Sequence, residues 1–252
     1  NYLLNRRQVI SFNHANYNTL IIDEPHQEYA EHAFCTYYVD YGSIKKQTKL
    51  FKTNFLFPKK IIHLNNSTIN KIALSSDIKE KIIYLPDAFN GGERHGPYRD
   101  MNDKKYFKFQ KKLLNSKKNI LLKTHPKTKG LYIDNLKHNA KKILSDDLLF
   151  LLKKYKLFIV DRISQAFFRI ACSDAKILYL NIGRRKIKKE ILKEIKKRAY
   201  VVNVDPYNIN KEKIVYYINK AKSFKIKKNK VLEMCVHSKN KDFNKILNIL
   251  KK

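Results

Sequence analysis

Leu157 to Leu180 reads LFIVDRISQAFFRIACSDAKILYL, and this stretch decides the fold. Leu157-Phe158-Ile159-Val160 has no polar position, Gln165 to Cys172 reads as a helix, and Lys176 to Leu180 is again a short apolar run. Strands that are apolar throughout, instead of alternating, belong to a sheet covered on both faces. Strand, helix and strand in this order make the crossover that joins two parallel strands.

The alternation extends in both directions. Lys81 to Leu85 (KIIYL), Asn119 to Lys123 (NILLK) and Tyr200 to Val204 (YVVNV) read as further strands. Helices are predicted over Asp103 to Asn115, Asn135 to Leu144, Asp146 to Tyr155, Lys186 to Lys197 and Lys211 to Ala221. Ser145, ahead of Asp146-Asp147, is placed as an N-cap, Asn210 as another, and Asp205-Pro206 closes a strand. The reading is an α/β fold with a doubly wound, parallel, Rossmann-like domain over residues 80–252. Phe243, Ile246, Leu247 and Leu250 recur at helical spacing, which predicts a C-terminal helix that docks on something.

Residues 1–79 read as part of a second α/β domain. Strands fall at Gln8 to Phe12, Cys35 to Val39 and Lys60 to Leu64, with a polar loop over Asn13 to Gln27, a turn at Tyr41-Gly42-Ser43 and a helix over Lys45 to Lys52. The chain begins at Asn1 without a methionine, so an N-terminally incomplete domain is expected.

Composition narrows the partners. The 252 residues carry 54 Lys+Arg against 22 Asp+Glu, a formal net charge of +32, which raises nucleic acid, anionic membrane and phosphorylated small molecules as partners, beside the plainer reading of a solvated lysine-rich surface tolerant of lipid head groups. With 43% hydrophobic residues the chain has enough apolar surface for a core, which excludes a disordered basic tail. Leu148 to Leu152 and Leu157 to Val160 are too short to span a bilayer. Cys35, Cys172 and Cys235 stand far apart and outside any C-x-x-C spacing, so neither a disulfide framework nor a cysteine zinc site is expected. His26 and His32, near Glu24, Glu28 and Glu31, match no metal-ligand motif, and no metal site is assigned.

In an open α/β sheet ligands bind beyond the carboxyl ends of the strands. After KIIYL comes Pro86 to Arg99, holding Gly91, Gly92 and Gly96, three of the six glycines, beside Arg94, His95 and Arg99. Glycine lets backbone amides approach an anion, so this is a candidate phosphate loop, although it matches neither the P-loop nor the dinucleotide fingerprint. A flexible surface loop fits it equally. After NILLK comes Lys123-Thr124-His125-Pro126, where an ammonium and an imidazole can meet a diphosphate; a structural histidine without a ligand is the alternative. After LFIV come Asp161, Arg162, Ile163, Ser164 and Gln165, a helix start whose amides, with Ser164 and Arg162, suit a phosphate. A plain N-cap without a ligand is the alternative. His14, just beyond the first strand, is a candidate general base, because an unperturbed imidazole titrates near neutral pH; a plain loop histidine is the alternative.

The order of the His14 loop, Tyr41-Gly42-Ser43, the glycine loop, Lys123-x-His125-Pro126 and Asp161-x-x-Ser164 resembles bacterial GT-B transferases of surface-polymer synthesis. That group includes CDP-glycerol glycerophosphotransferases of teichoic acid assembly and the sugar transferases of capsule or lipopolysaccharide. The resemblance runs from about residue 8 to about 222. It implies a GT-B-like fold, with 1–79 on the acceptor side and 80–252 binding the nucleotide-activated donor. It further implies metal-independent transfer of a sugar or polyol phosphate from a nucleotide-sugar or CDP-polyol to a glycan or lipid-linked acceptor, with no cofactor beyond the donor itself.

On this resemblance His14 is the acceptor-side base, Lys123 and His125 contact the donor phosphate, and Asp161 and Ser164 form the turn that binds its phosphates or nucleotide. Ala15 stands where such families carry glycine, no second serine flanks Ser164, and Arg169 occupies the region of a customary acidic residue. The basic surface is expected to hold a cytoplasmic enzyme against the anionic inner face of the plasma membrane. The alternatives are a transferase-like domain without catalysis and a basic nucleic-acid-binding module; the latter is disfavoured because no RNP, KH, zinc-finger or helix-turn-helix signature occurs.

Overall fold

A computed structural model describes residues 9–12, 35–41, 60–64, 79–87, 103–125, 136, 139–140, 143–183, 186–235 and 244–250. The loop over 13–27, Gly42-Ser43, the helix expected over 45–52 and the glycine loop beyond Asp87 lie outside these residues.

Two parallel sheets organise the chain. The first has the order β1-β2-β3, from β1 (Ile10–Phe12), β2 (Tyr37–Tyr41) and β3 (Lys60–Leu64). The second comprises β4 (Lys79–Leu85), β5 (Ile120–Leu122), β6 (Tyr155–Val160), β7 (Lys176–Asn181) and β8 (Tyr200–Asn203), ordered β5-β4-β6-β7-β8. Every pairing is parallel. Starting at β4, the chain steps to one side to form β5 and later returns past β4 to lay down β6, β7 and β8 on the other. This is the doubly wound α/β arrangement that the apolar runs predict.

The period of two along each strand explains why those runs are unbroken. Ile82, Leu157, Ile159, Leu178 and Leu180 enter one core, while Ile83, Phe158, Val160, Ile177 and Tyr179 enter the other. Helices α1 (Asp103–Ser116) and α5 (Lys211–Ser223) seal the first core through Tyr106, Phe109, Leu113, Ile214 and Ile218. The second is sealed by α2 (Leu148–Lys154), α3 (Gln165–Ala171), α4 (Lys189–Arg198) and α6 (Val231–Cys235). Within α3, Phe167 and Phe168 are 0% and 1% exposed and meet edge-on at 5.3 Å. Burial of a side chain of this size contributes roughly 1.5–3 kcal/mol.

The last helix, α7 (Asn244–Leu250), belongs to the other sheet. Ile246 is 5% exposed and packs with Val39, Ile62 and Leu64 of β2 and β3. The expected docking helix therefore covers the first sheet, while Leu247 stays exposed. Phe243 lies outside the described residues, as does the side chain of Leu250.

Several local expectations are corrected. The cap of α2 is Asp147, whose carboxylate accepts from Leu149 N at 2.7 Å, and not Ser145. Ser, Asp and Asp are all competent caps, and the buried positions Leu148, Leu151 and Leu152 choose the register. The helix expected up to Leu144 gives way before Ile143, which bridges Leu122 in parallel, with Leu144 N donating to Leu122 O at 2.8 Å. Edge-strand β5 has a free flank there, and backbone pairing outweighs helical propensity. Helix α4 begins at Lys189 instead of Lys186. The Asn210 cap is in place, accepting from Lys213 N at 2.9 Å.

Cys35 and Cys172 are buried thiols outside any disulfide. Burial pushes the Cys172 thiol up to about 11, with the Arg198 guanidinium pulling the other way. At pH 8 a disulfide reagent is expected to label Cys172 roughly 100-fold more slowly than an ordinary thiol, because the thiolate is the reactive form. Stopped-flow labelling of a Cys35→Ser, Cys235→Ser double variant measures this, and a rate matching a free thiol would contradict the burial.

Candidate functional site

The strand order reverses at β4, whose neighbours β5 and β6 are reached by connections running in opposite directions. Such a reversal opens a crevice at the carboxyl ends of the strands, where no loop crosses from one to the other. Three segments converge on it: Lys123-Thr124-His125 after β5, Leu85-Pro86-Asp87 at the end of β4, and Asp161 to Gln165 between β6 and α3.

Backbone pairing fixes the first segment, since Lys123 N donates to Tyr84 O at 2.9 Å and so extends β5 by one residue. The side chains of Lys123, Thr124 and His125 are half-buried at the edge. On the other flank Ser164 is the N-cap of α3, with extended backbone (φ −146°, ψ 177°), yet its hydroxyl makes no capping hydrogen bond. Gln165 opens the helix and is half-buried.

Between these flanks lies a buried polar network. Asp161 is 2% exposed, and its Oδ2 accepts from the phenols of Tyr84 at 2.5 Å and Tyr106 at 2.6 Å. Asp87 N donates to Asp161 Oδ1 at 3.1 Å and to the Tyr106 oxygen at 2.8 Å. Asp87 Oδ1 in turn meets Arg162 Nη1 at 2.7 Å, both side chains being largely withdrawn from solvent. Burial, and then the Asp161 carboxylate, push the Tyr84 phenol well above its ordinary value, so it remains a donor at any physiological pH. Tyr179 is raised in the same way, first by burial and then by Asp161, with Arg162 opposing.

The network ties the ends of the two central strands to α1. Tyr106 reaches across from the helix to Asp87, so the two ends of the glycine-rich connection are clamped where it leaves β4 and where it enters α1. Asp161 therefore sits beneath the crevice as a structural acceptor, and Arg162 spans the floor against Asp87.

The structure thus gathers Lys123, His125, Asp161, Arg162, Ser164 and Gln165 at one edge. His14, Gly91, Gly92, Arg94 and Arg99 lie outside the described residues. Sequence reasoning missed Tyr84 and Tyr106, which look apolar in KIIYL and in an amphipathic helix. It also missed the side-chain amides at the carboxyl ends of β7 and β8, where Asn181 Nδ2 donates to Asn203 Oδ1 at 2.8 Å. Nearby Gly183 has φ 80°, a conformation that L side chains rarely adopt. No cluster of His, Cys, Asp and Glu suited to a metal occurs among the described residues. No described helix is long and apolar enough to cross a membrane.

No protein-family model matches the chain, and no curated protein sequence does. Among solved structures, it is similar to the GtfA/B complex at a TM-score of 0.43 and 10% identity, covering 84% of this chain and 45% of that one. It is similar to the wall teichoic acid polymerase TagF at 0.40 and 15% identity, covering 89% of this chain and 59% of that one. The chain thus spans about half the length of each of these two proteins. The fold assignment itself rests on the strand order and the two cores described above.

Proposed function

We propose that the chain is a GT-B-type transferase that moves a sugar or polyol-phosphate group from a nucleotide-activated donor to a surface-glycan or lipid-linked acceptor. The observation that carries this reading is the convergence of Lys123, His125 and Ser164 on the crevice where the strand order reverses. In such a reaction the acceptor hydroxyl oxygen attacks the donor's carbon or phosphorus, and the bond to the leaving nucleotide phosphate breaks. The hydroxyl proton passes to a base, and the phosphate leaves with the bonding electron pair. The chief catalytic need is a preorganised positive environment for that phosphate.

Lys123 supplies the ammonium on one flank, and Ser164 with the amide of Gln165 supplies donors on the other. Asp161 and Arg162 hold these groups in place through the buried network, and His125 stands beside the departing phosphate. His14 is the acceptor-side base in this reading, and Gly91, Gly92, Arg94 and Arg99 are assigned to the donor's phosphates by their residue types. The leaving charge is met by these groups without a metal.

The test is a thermal-shift series with CMP, CDP, UDP, GDP and ADP. A nucleotide at ~100 times its Kd stabilises the chain by about 2.7 kcal/mol, which for a protein of this size raises Tm by roughly 5–10 °C. The shift is expected with one nucleotide class, and it should fall by at least half in Lys123→Ala and in Ser164→Ala. Absence of any nucleotide shift, or unchanged affinity in both variants, removes the donor site.

A further inference from the structure

We infer that His63, oriented by Asp40, is the group that takes the proton from the acceptor hydroxyl. The two residues face each other across neighbouring strands. The parallel register of β2 and β3 sets Asp40 beside His63, and Asp40 Oδ2 stands 3.7 Å from His63 Nδ1. Each is the next-to-last residue of its strand, so the pair lies at the carboxyl end of the first sheet, the end at which an open α/β sheet binds its ligands.

Packing does not account for the pair. Side chains alternate along each strand, so Val39, Ile62 and Leu64 meet Ile246 of α7 on one face, and Asp40 and His63 fall on the other. An apolar pair would be more stable in a parallel sheet, because a carboxylate with 7% of its side chain exposed has lost most of its hydration. A titratable pair held in such a place at a strand end is the arrangement of a reacting site.

The carboxylate is also aimed. Tyr41 N donates to Asp40 Oδ1 at 2.9 Å, and Oδ2 is the oxygen turned to the imidazole. His63 Nδ1 is itself out of solvent, and the 20% of the side chain that is exposed lies on the rest of the residue, which includes Nε2. This is the division of labour between a base and its orienting acid: Asp40 holds the tautomer with its proton on Nδ1, so Nε2 presents the lone pair. The 3.7 Å separation tightens to a hydrogen bond as the imidazole gains charge.

The inference rests on the transferase reading and moves its base from His14, chosen by resemblance, to a pair that the sheet itself brings together. The acceptor oxygen bonds to the donor's carbon or phosphorus as the bond to the nucleotide phosphate breaks. The hydroxyl proton goes to His63 Nε2, the phosphate leaves with the electron pair, and Asp40 meets the charge of the imidazolium. His63 is the catalytic residue here and Asp40 the positioning residue.

The experiment follows nucleotide release by the 252-residue chain from CDP-glycerol, CMP-N-acetylneuraminate, UDP-N-acetylglucosamine, GDP-mannose and ADP-glucose, with water in place of the acceptor. On the donor that is turned over, His63→Gln is expected to lose on the order of 100-fold or more in kcat, and Asp40→Asn at least about 10-fold, with Tm and the nucleotide thermal shift kept. In His63→Gly, added imidazole should restore release by about 10-fold or more, which a merely structural histidine would not show.

A kcat within about 3-fold of the parent in His63→Gln, or a loss that imidazole does not restore, overturns the proposal. So does a loss that tracks unfolding in both His63→Gln and Asp40→Asn, which marks a structural pair, and so does a parent that releases nucleotide from none of these donors. A nucleotide shift that is present while His63→Gln works as the parent does removes this inference alone. Absence of any nucleotide shift removes the transferase reading with it.

Discussion

Exchanging Arg198 for Met lowers stability by about 3 kcal/mol, which at this chain length means a fall in Tm of roughly 10 °C. Arg198 is 3% exposed at the end of α4, and its guanidinium fork closes the far end of α3. Nε donates to Ala171 O at 3.1 Å, and Nη2 donates to Ile170 O, Ser173 O and Ala175 O at 3.1, 2.7 and 3.0 Å. Ile170 and Ala171 are in the last turn of α3, and Ser173 and Ala175 lie in the segment between α3 and β7, so the fork ties the helix end to the chain that leaves it, where water is scarce. Burial lowers the guanidinium pKa to about 10, against the opposing influence of Cys172 and Asp174, so the group is fully charged at neutral pH. Arg198→Lys should recover only about half of the loss, because one ammonium on a flexible stem cannot match a planar fork. A Tm within about 3 °C of the parent in Arg198→Met would show that the carbonyls find other partners.

The second large effect is expected at Asp161. Asp161→Ala leaves the buried hydroxyls of Tyr84 and Tyr106 without their acceptor, and each buried group so stranded costs about 1–3 kcal/mol. The loss should reach roughly 4 kcal/mol in urea unfolding. The informative variant is the triple one, Asp161→Ala with Tyr84→Phe and Tyr106→Phe. Removing the donors together with the acceptor leaves less unsatisfied, so the triple variant should be at least about 1 kcal/mol more stable than the sum of its parts. Strict additivity would mean that the three side chains do not form one network.

Much of this architecture was legible because the strands of a doubly covered sheet are apolar on both sides. LFIV, KILYL and KIIYL leave little room for another reading. Helix ends were less legible, as Ser145, Asp146 and Asp147 show: three residues with the same capping chemistry, told apart only by which leucines the core receives. The rule of strand ends pointed to the crevice, but the hydrogen bonds its residues make were not visible. Asp161 had the look of a ligand, and its partners Tyr84 and Tyr106 are distant in sequence and sit in apolar patterns. Arg198 was hidden among Lys196 and Lys197. The available signal was its register, since it follows Ile191 and Ile195 on the buried stripe of α4.

The position of α7 has a consequence for synthesis. β2 and β3 emerge early from the ribosome, yet Ile246, which packs on them, emerges only after the entire five-stranded sheet has been made. The first sheet must therefore wait with part of its apolar surface uncovered while the second forms. A chain that folds from its amino end toward its carboxyl end would leave that surface open to holdase chaperones until the last turn of helix is released.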